Sequence, residues 1–185
     1  MDFNNTPNRR LILGDEEIWI SRSMTVLAVL IFRVGEQRYV PLGIRGKALA
    51  YEVGKWGLPG GYVDYGETVG EALIREVWEE IGLNLPELQG LHRWVGNLEQ
   101  PYSVASAPRG QQNITLRFGL TFFDRPGTPL PPLTPQVGPE EVEQAGWFPL
   151  QEALAMELAF NHQAVIKDYL DHDSEDNNKG DRFLT

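Results

Sequence analysis

Residues 61–83 read GYVDYGETVGEALIREVWEEIGL, and how this stretch is read decides the fold. Thr68 followed by Glu71 is a capping box, in which the hydroxyl and the carboxylate each satisfy a backbone N–H left free by the first helical turn. Gly82 supplies a left-handed stop. Between these signals Leu73, Val77 and Ile81 recur every four residues, with Ile74 and Trp78 widening the stripe. The pattern predicts an amphipathic helix of about 14 residues.

That helix carries Glu76, Glu79 and Glu80 at i, i+3 and i+4, so the three carboxylates share one face. A solvated acidic face is the plain explanation of such a helix. Two features argue for more. The apolar stripe anchors the helix and is expected to hold the carboxylates opposite the core. Gly60-Gly61 just upstream lets backbone approach the helix, because glycine carries no Cβ. Clustered carboxylates beside a carbonyl suit a hard cation, and Mg²⁺ commonly shares its oxygen shell with substrate phosphates.

Outward from the helix, Ile18 and Ile20 alternate with polar neighbours, and Met24 to Arg33 is dense in aliphatic residues. The continuous run predicts a central strand buried on both faces. Gly35-Glu36 makes a turn before Tyr39-Val40, and 43–55 reads as a loop. Leu91 to Leu98 and Ile114 to Phe123 read as strands, separated from the end of the domain by the Pro-rich loop 126–139. Gly146 to Leu150 reads as a short strand feeding a helix at Gln151 to Leu158, with a second helical segment at Asn161 to Leu170. Residues 1–15 are expected to form a flexible arm, 16–172 a single domain, and 173–185 a polar, disordered tail.

The spacing Gly61, Glu67, Arg75, Glu76, Val77, Glu79, Glu80, Gly82, Leu83 resembles the Nudix box without a departure. Seven fixed residues at about 7% each, plus two aliphatics, arise by chance in such a chain with odds on the order of 10⁻⁷. Trp56-Gly57-Leu58-Pro59-Gly60-Gly61 is similar to the family's strand and loop before the box, and Trp147-Phe148-Pro149-Leu150 to its closing strand. The resemblance covers residues 24–158. It implies an α/β fold, a Nudix-type α/β/α sandwich around a mixed β-sheet. It also implies a hydrolase of phosphoric anhydride bonds, cleaving a nucleoside diphosphate linked to another group. Mg²⁺ or Mn²⁺ would be held by Glu76, Glu79, Glu80 and the carbonyl of Gly60. Gly61, Glu67, Arg75 and Gly82 would be structural, Arg75 pairing with Glu67 or Glu79, while a contribution of Glu67 to the metal shell stays open.

An attacking hydroxide is repelled by a diphosphate unless cations neutralise the phosphoryl oxygens and acidify water. Glu76 is assigned to that role with Glu80, and a nearby carboxylate takes the proton. Glu79 is expected ahead of a residue from a later loop, where Glu140, Glu141 and Glu143 lie and Glu141 is the candidate. Pro108-Arg109-Gly110 and Ala159-Phe160-Asn161-His162 are similar to segments of ADP-ribose-directed Nudix proteins. ADP-ribose or a related dinucleotide is therefore expected ahead of a nucleoside triphosphate cleaned from the pool. Arg45, Arg109 and Arg117 are candidate phosphate contacts, and Trp94, Tyr62 and Tyr102 candidate stacking surfaces for a base. Surface charge explains the arginines equally, and core packing explains Trp94 better. Trp56, Trp78 and Trp147 read as core, and His92, His162 and His172, which lack metal-ligand spacing, as surface or helix residues.

Composition bounds the alternatives. The 185 residues hold 16 Lys plus Arg against 26 Asp plus Glu, for a net charge of -10, and no Cys. That excludes a disulfide framework, a thiolate nucleophile and Cys-ligated zinc, and it argues against nucleic-acid backbones and anionic membranes as partners. Residues 64–80 hold six carboxylates against Arg75 alone, so a diphosphate is expected to enter as a metal complex. The longest apolar run, Val26 to Phe32, is far shorter than the ~20 residues that cross a bilayer, and the start lacks a secretion signal, so a soluble, cytoplasmic protein is expected. A non-catalytic nucleotide-sensing module is the rival class, disfavoured by the intact box and by too few, too acidic residues after 150 for a DNA-binding domain. The N-terminal arm and Ile18-Trp19-Ile20 could exchange between protomers of a homodimer or serve as an intramolecular edge strand.

Overall fold

A computed structural model describes residues 9–20, 24–106 and 113–180. Strands β1 (Arg9–Leu13) and β2 (Glu16–Ile20) form a separate antiparallel pair. There follow β3 (Met24–Val34), β4 (Gln37–Arg45), β5 (Trp56–Gly57), β6 (Gly60–Tyr62), α1 (Val69–Ile81), α2 (Leu85–Leu91), β7 (Arg93–Gly96) and β8 (Ser103–Ser106). The chain continues through β9 (Ile114–Asp124), β10 (Val142–Pro149), α3 (Leu150–Ala155), a 3-10 turn Ala159–Asn161 and α4 (His162–Gly180).

The main sheet runs β10-β4-β3-β9-β7, with β5 added to β4, β6 to β3 and β8 to β9. It is mixed: β3 and β9 are parallel from Met24↔Ile114 to Val34↔Asp124, while β4 and β6 run antiparallel to β3. The apolar run in β3 is buried on both sides, as its lack of alternation predicts. Val26, Ala28, Leu30 and Phe32 pack with Leu73, Val77 and Ile81 of α1 and with Leu85 and Leu88 of α2. Leu27, Val29 and Ile31 pack with Leu150, Val165, Ile166 and Tyr169 of α3 and α4. The result is the expected α/β/α sandwich around a mixed sheet.

α1 begins and ends where its signals place it. Thr68 Oγ1 accepts from the Glu71 N–H at 3.2 Å, and the Glu71 carboxylate accepts from the Thr68 N–H at 2.7 Å. Gly82 caps the other end at φ 76°, and its bare Cα also lets the backbone of Thr134 come close. The Pro-rich loop finishes that cap, since Thr134 N–H donates to Ile81 O at 3.1 Å and Gln136 N–H to Glu79 O at 2.8 Å. Those carbonyls have no partner within the helix itself.

Several boundaries differ from expectation. Leu85–Leu91 is helical, with Asn84 accepting from the Glu87 N–H, so the strand expected from Leu91 starts only at Arg93. The short strand β8 carries no apolar alternation strong enough to announce it. β4 runs to Arg45, into the expected loop, and β10 begins at Val142 rather than Gly146 because the two strands pair there. Residues 9–13, expected within a loose arm, pair as β1 across the Gly14 turn. Residues 173–180, expected as disordered tail, continue α4, which is docked by Val165, Ile166 and Tyr169 and extends by one backbone bond per added residue.

Candidate active site

Pairing of β6 with β3 sets Gly60 opposite Leu27 and Gly61 opposite Val26, at the sheet edge facing α1. A Cβ on Gly60 would strike Val26 O, and one on Gly61 would overlap the Glu76 carboxylate. Only glycine therefore lets this backbone and the helix share the space. The Gly60 N–H donates to Glu80 Oε2 at 2.9 Å. Glu76 is buried, so the carboxylates flank the apolar stripe of α1 instead of lying opposite it in solvent.

Arg75 organises the cluster. Its side chain is 1% exposed, and all five of its N–H donors are used. Nε and Nη2 hold Glu67 at 3.1 and 2.7 Å, Nη1 holds Glu76 at 2.6 Å and Glu79 at 3.1 Å, and Nη2 also reaches Tyr62 O at 2.8 Å. Both partners named for Arg75 are present, with Glu76 added. Glu67 in turn accepts from the Asp64 N–H at 2.6 Å, so it holds the loop. Burial would lower the basicity of Arg75, but Glu67 and Glu76 overcome it and keep the guanidinium charged.

The carboxylates respond in the opposite sense. Burial pushes Glu76 upward against the pull of Arg75, with Glu79 and Glu141 adding repulsion. Burial likewise raises Glu79, again against Arg75. Glu80 stands well above the usual carboxylate range through burial and the repulsion of Glu76, opposed by the Gly60 N–H and Arg45. Glu141 raises all three, which puts it within electrostatic reach of the cluster, while its backbone O accepts from the Gly46 N–H at 2.8 Å. Glu140 instead stands 3.6 Å from Lys47.

Among the described residues no three His, Asp or Glu side chains are gathered on one point to hold a metal: Glu67, Glu76 and Glu79 are turned onto Arg75, and Glu80 onto the Gly60 N–H. The donor set nevertheless fits a divalent cation. It consists of hard oxygens, it is mutually repulsive, and the missing Cβ of Gly61 makes the room that the Glu76 carboxylate occupies beside the loop backbone.

The candidate substrate contacts separate. Arg45 lies over the Phe160 ring at 4.8 Å and in the field of Glu80, with Nε donating to Tyr51 O at 3.1 Å. Tyr62 is half-buried beside Arg75. Arg117 faces α4, with Nη1 3.3 Å from Asp168. Trp94 packs against the α1-side core, as do Trp147 and its edge-on partner Phe32. Trp56 packs on the other core, and Trp78, half-buried, belongs to neither. Tyr102 is turned toward α4, its hydroxyl donating to Val165 O at 3.2 Å and its ring against Tyr169 and His172. Arg109 lies outside the described residues.

Two histidines are not surface residues. His92 lies 2.7 Å from Asp124 Oδ1, edge-on to Phe32 and Phe122. His162 is buried, and its Nδ1 accepts from the Leu58 N–H at 3.0 Å across 104 residues of sequence. No local pattern signals either partner, and His162 sits between two other polar residues, Asn161 and Gln163, so nothing in the sequence singles it out.

A model of the NUDIX domain matches residues 24–169. An ADP-ribose pyrophosphatase of Methanocaldococcus jannaschii is 36% identical over 117 residues, 63% of this chain and 58% of that protein. The human m7GpppN-mRNA hydrolase NUDT17 is 36% identical over 69 residues, 37% of this chain and 20% of that protein. The chain thus spans less than two thirds of either relative's length. In fold it is similar to the NUDIX domain of Shewanella oneidensis NrtR, solved with ADP ribose, at TM-score 0.61 and 22% identity over 82% of this chain and 88% of that one.

Proposed function

Because the chain belongs to the Nudix family, we propose that it hydrolyses a nucleoside diphosphate linked to another group, with ADP-ribose or a related dinucleotide as substrate. The carrying observation is the α1 carboxylate set of Glu76, Glu79 and Glu80, held around the buried Arg75 and against the Gly60-Gly61 backbone. The relative that is an ADP-ribose pyrophosphatase supports the substrate class.

In this reading Glu76, Glu79, Glu80 and the Gly60 carbonyl hold Mg²⁺ or Mn²⁺. The ion supplies charge neutralisation at the phosphoryl oxygens and Lewis acidity. The residues of the chain do the rest. Arg75 keeps the carboxylates in place and is not a reagent. Glu79 accepts the proton of the attacking water, its affinity for it raised by burial. Glu141, from the loop before β10, is the second carboxylate within reach of the same charge cluster. Arg45, beside Glu80, is the phosphate contact the geometry favours. The apolar side chains of Leu11, Ile12, Leu13, Ile18 and Ile20 stand exposed on the β1–β2 hairpin, which supports a homodimer formed there; a sizing run at one protomer mass removes that part.

A substrate panel with Mg²⁺ or Mn²⁺, covering ADP-ribose, dinucleotides, nucleotide sugars and nucleoside triphosphates, tests the reading. Glu79→Gln and Glu80→Gln should each lower turnover by about 10²-fold or more with the fold intact. Full activity in both variants overturns the assignment, and turnover confined to triphosphates replaces the substrate class with the pool-cleaning alternative.

A further inference from the structure

The turn Ala159–Asn161 and the first residue of α4 press on the back of the loop that carries Gly60. Three successive residues of that loop are held by three different elements. The Leu58 N–H donates to His162 Nδ1 at 3.0 Å, Pro59 O accepts from the Ala28 N–H at 2.9 Å, and the Gly60 N–H donates to Glu80 Oε2 at 2.9 Å. The approach is tight at Gly57, where a Cβ would stand 3.3 Å from His162 Nδ1 and 3.4 Å from the Ala159 Cβ.

The turn reaches this position through an uncommon backbone. Phe160 (φ 53°, ψ 23°) and Asn161 (φ 60°) are consecutive L-residues in the left-handed region. Such conformations persist where the surroundings impose them, and they concentrate at functional positions. Here the reversal aims the His162 ring at Leu58 and sets the Phe160 ring beneath the Arg45 guanidinium at 4.8 Å. The same turn therefore supports both the loop bonded to Glu80 and Arg45, whose positive charge acts on Glu80.

We propose that His162 is a positioning residue for divalent-cation binding, its Nδ1 fixing the Leu58–Gly60 backbone against which Glu80 is held. The inference rests on the reading that the α1 carboxylates bind a cation. Nδ1 accepts only when it carries no proton, so the ring proton sits on Nε2. Groups bonded directly to metal ligands typically change affinity by about 10- to 100-fold when lost, and His162, bonded two residues from Gly60, belongs at the lower end of that range.

The test is Mn²⁺ binding by the full chain without substrate, followed by the electron paramagnetic resonance of free Mn²⁺, with thermal unfolding measured in parallel. His162→Leu, which keeps bulk and removes the acceptor, should raise the Mn²⁺ dissociation constant by about tenfold or more. His162→Asn places its Oδ1 the same number of bonds from Cα as Nδ1 and should stay within about threefold of wild type. A lowered Tm with unchanged Mn²⁺ affinity in His162→Leu overturns the proposal, because His162 then only fills the core. Equal weakening in both variants also overturns it, because the acceptor is then irrelevant. If His162→Leu does not fold, Gly57→Ala decides: its Cβ crowds the intact bond, and unchanged affinity in that variant overturns the proposal. Wild-type protein that binds no Mn²⁺ removes the parent reading as well, whereas wild-type binding with unaffected variants removes this inference alone.

Discussion

The two faces of the sheet bury polar groups in different ways. On the α1 face Arg75 is wholly buried among Glu67, Glu76 and Glu79, and charge meets charge. On the α4 face the buried contacts are neutral: Thr121 and Tyr169 hydroxyls at 2.9 Å, Tyr102 to Val165 O at 3.2 Å, Leu58 N–H to His162 at 3.0 Å. Neutral pairs need little compensation, whereas desolvating ions costs several kcal/mol each and a buried salt bridge is weak evidence for stability. The α1 arrangement is thus poorly explained as a device for holding the fold. It fits the proposed role of these side chains, which is to keep anionic oxygens fixed and partly desolvated for a cation.

That contrast can be broken at its strongest point. Arg75→Leu removes all five donors and leaves three carboxylates crowded without a counter-charge. Loss of one partner from a buried ionic set costs about 3–5 kcal/mol. Urea unfolding should show a loss of that size, and a Tm lower by roughly 10 °C or more. A change under about 1 kcal/mol would mean that water already screens the cluster and that the two faces are alike.

The matching operation on the other face is Tyr169→Phe. The Tyr169 ring fills the space left by Gly119, whose Cβ would run into it, so the aromatic volume is kept and only the bond to Thr121 is removed. The expected loss is about 1 kcal/mol, mostly the cost of leaving the buried Thr121 hydroxyl unpaired. A loss as large as that of Arg75→Leu would erase the distinction between charged and neutral burial.

The faces also differ in how much of them the sequence discloses. On the α1 side the decisive contacts are local: Thr68 with Glu71, Arg75 with Glu67 and Glu79 within eight residues, Gly82 at the stop. Helical spacing and capping chemistry predict such pairs directly. The α4 side is built from contacts between distant residues, Thr121 with Tyr169 and Leu58 with His162, for which no periodicity exists. The same reason hides the His92–Asp124 pair and turns Tyr102 from a candidate base platform into a contact with α4. α2 escaped for a different reason: seven residues containing Pro86 and Gly90 show less than two turns of pattern, and its N-terminal signal, Asn84, stands directly after the stop of α1.

The smallest expected effect falls on an ion pair that reaches α4. Arg117 Nη1 meets Asp168 Oδ2 at 3.3 Å, with the Asp168 side chain 52% exposed. Unlike Arg75, Arg117 makes a single contact to a carboxylate that water also solvates, and such pairs contribute between nothing and about 1 kcal/mol. Asp168→Ala should therefore shift the urea midpoint by the equivalent of about 0.5 kcal/mol or less, and added salt should shrink even that. The Arg117 side chain is 24% exposed although its Nε is buried without a hydrogen-bond partner, so removing Asp168 leaves the charge only partly stranded. A loss above about 1.5 kcal/mol would require Arg117 to be desolvated in the manner of Arg75. It would then be a second buried cation on the opposite face, beside Leu27 and one strand away from Gly60, and the charged treatment of the site would have to be extended through the sheet.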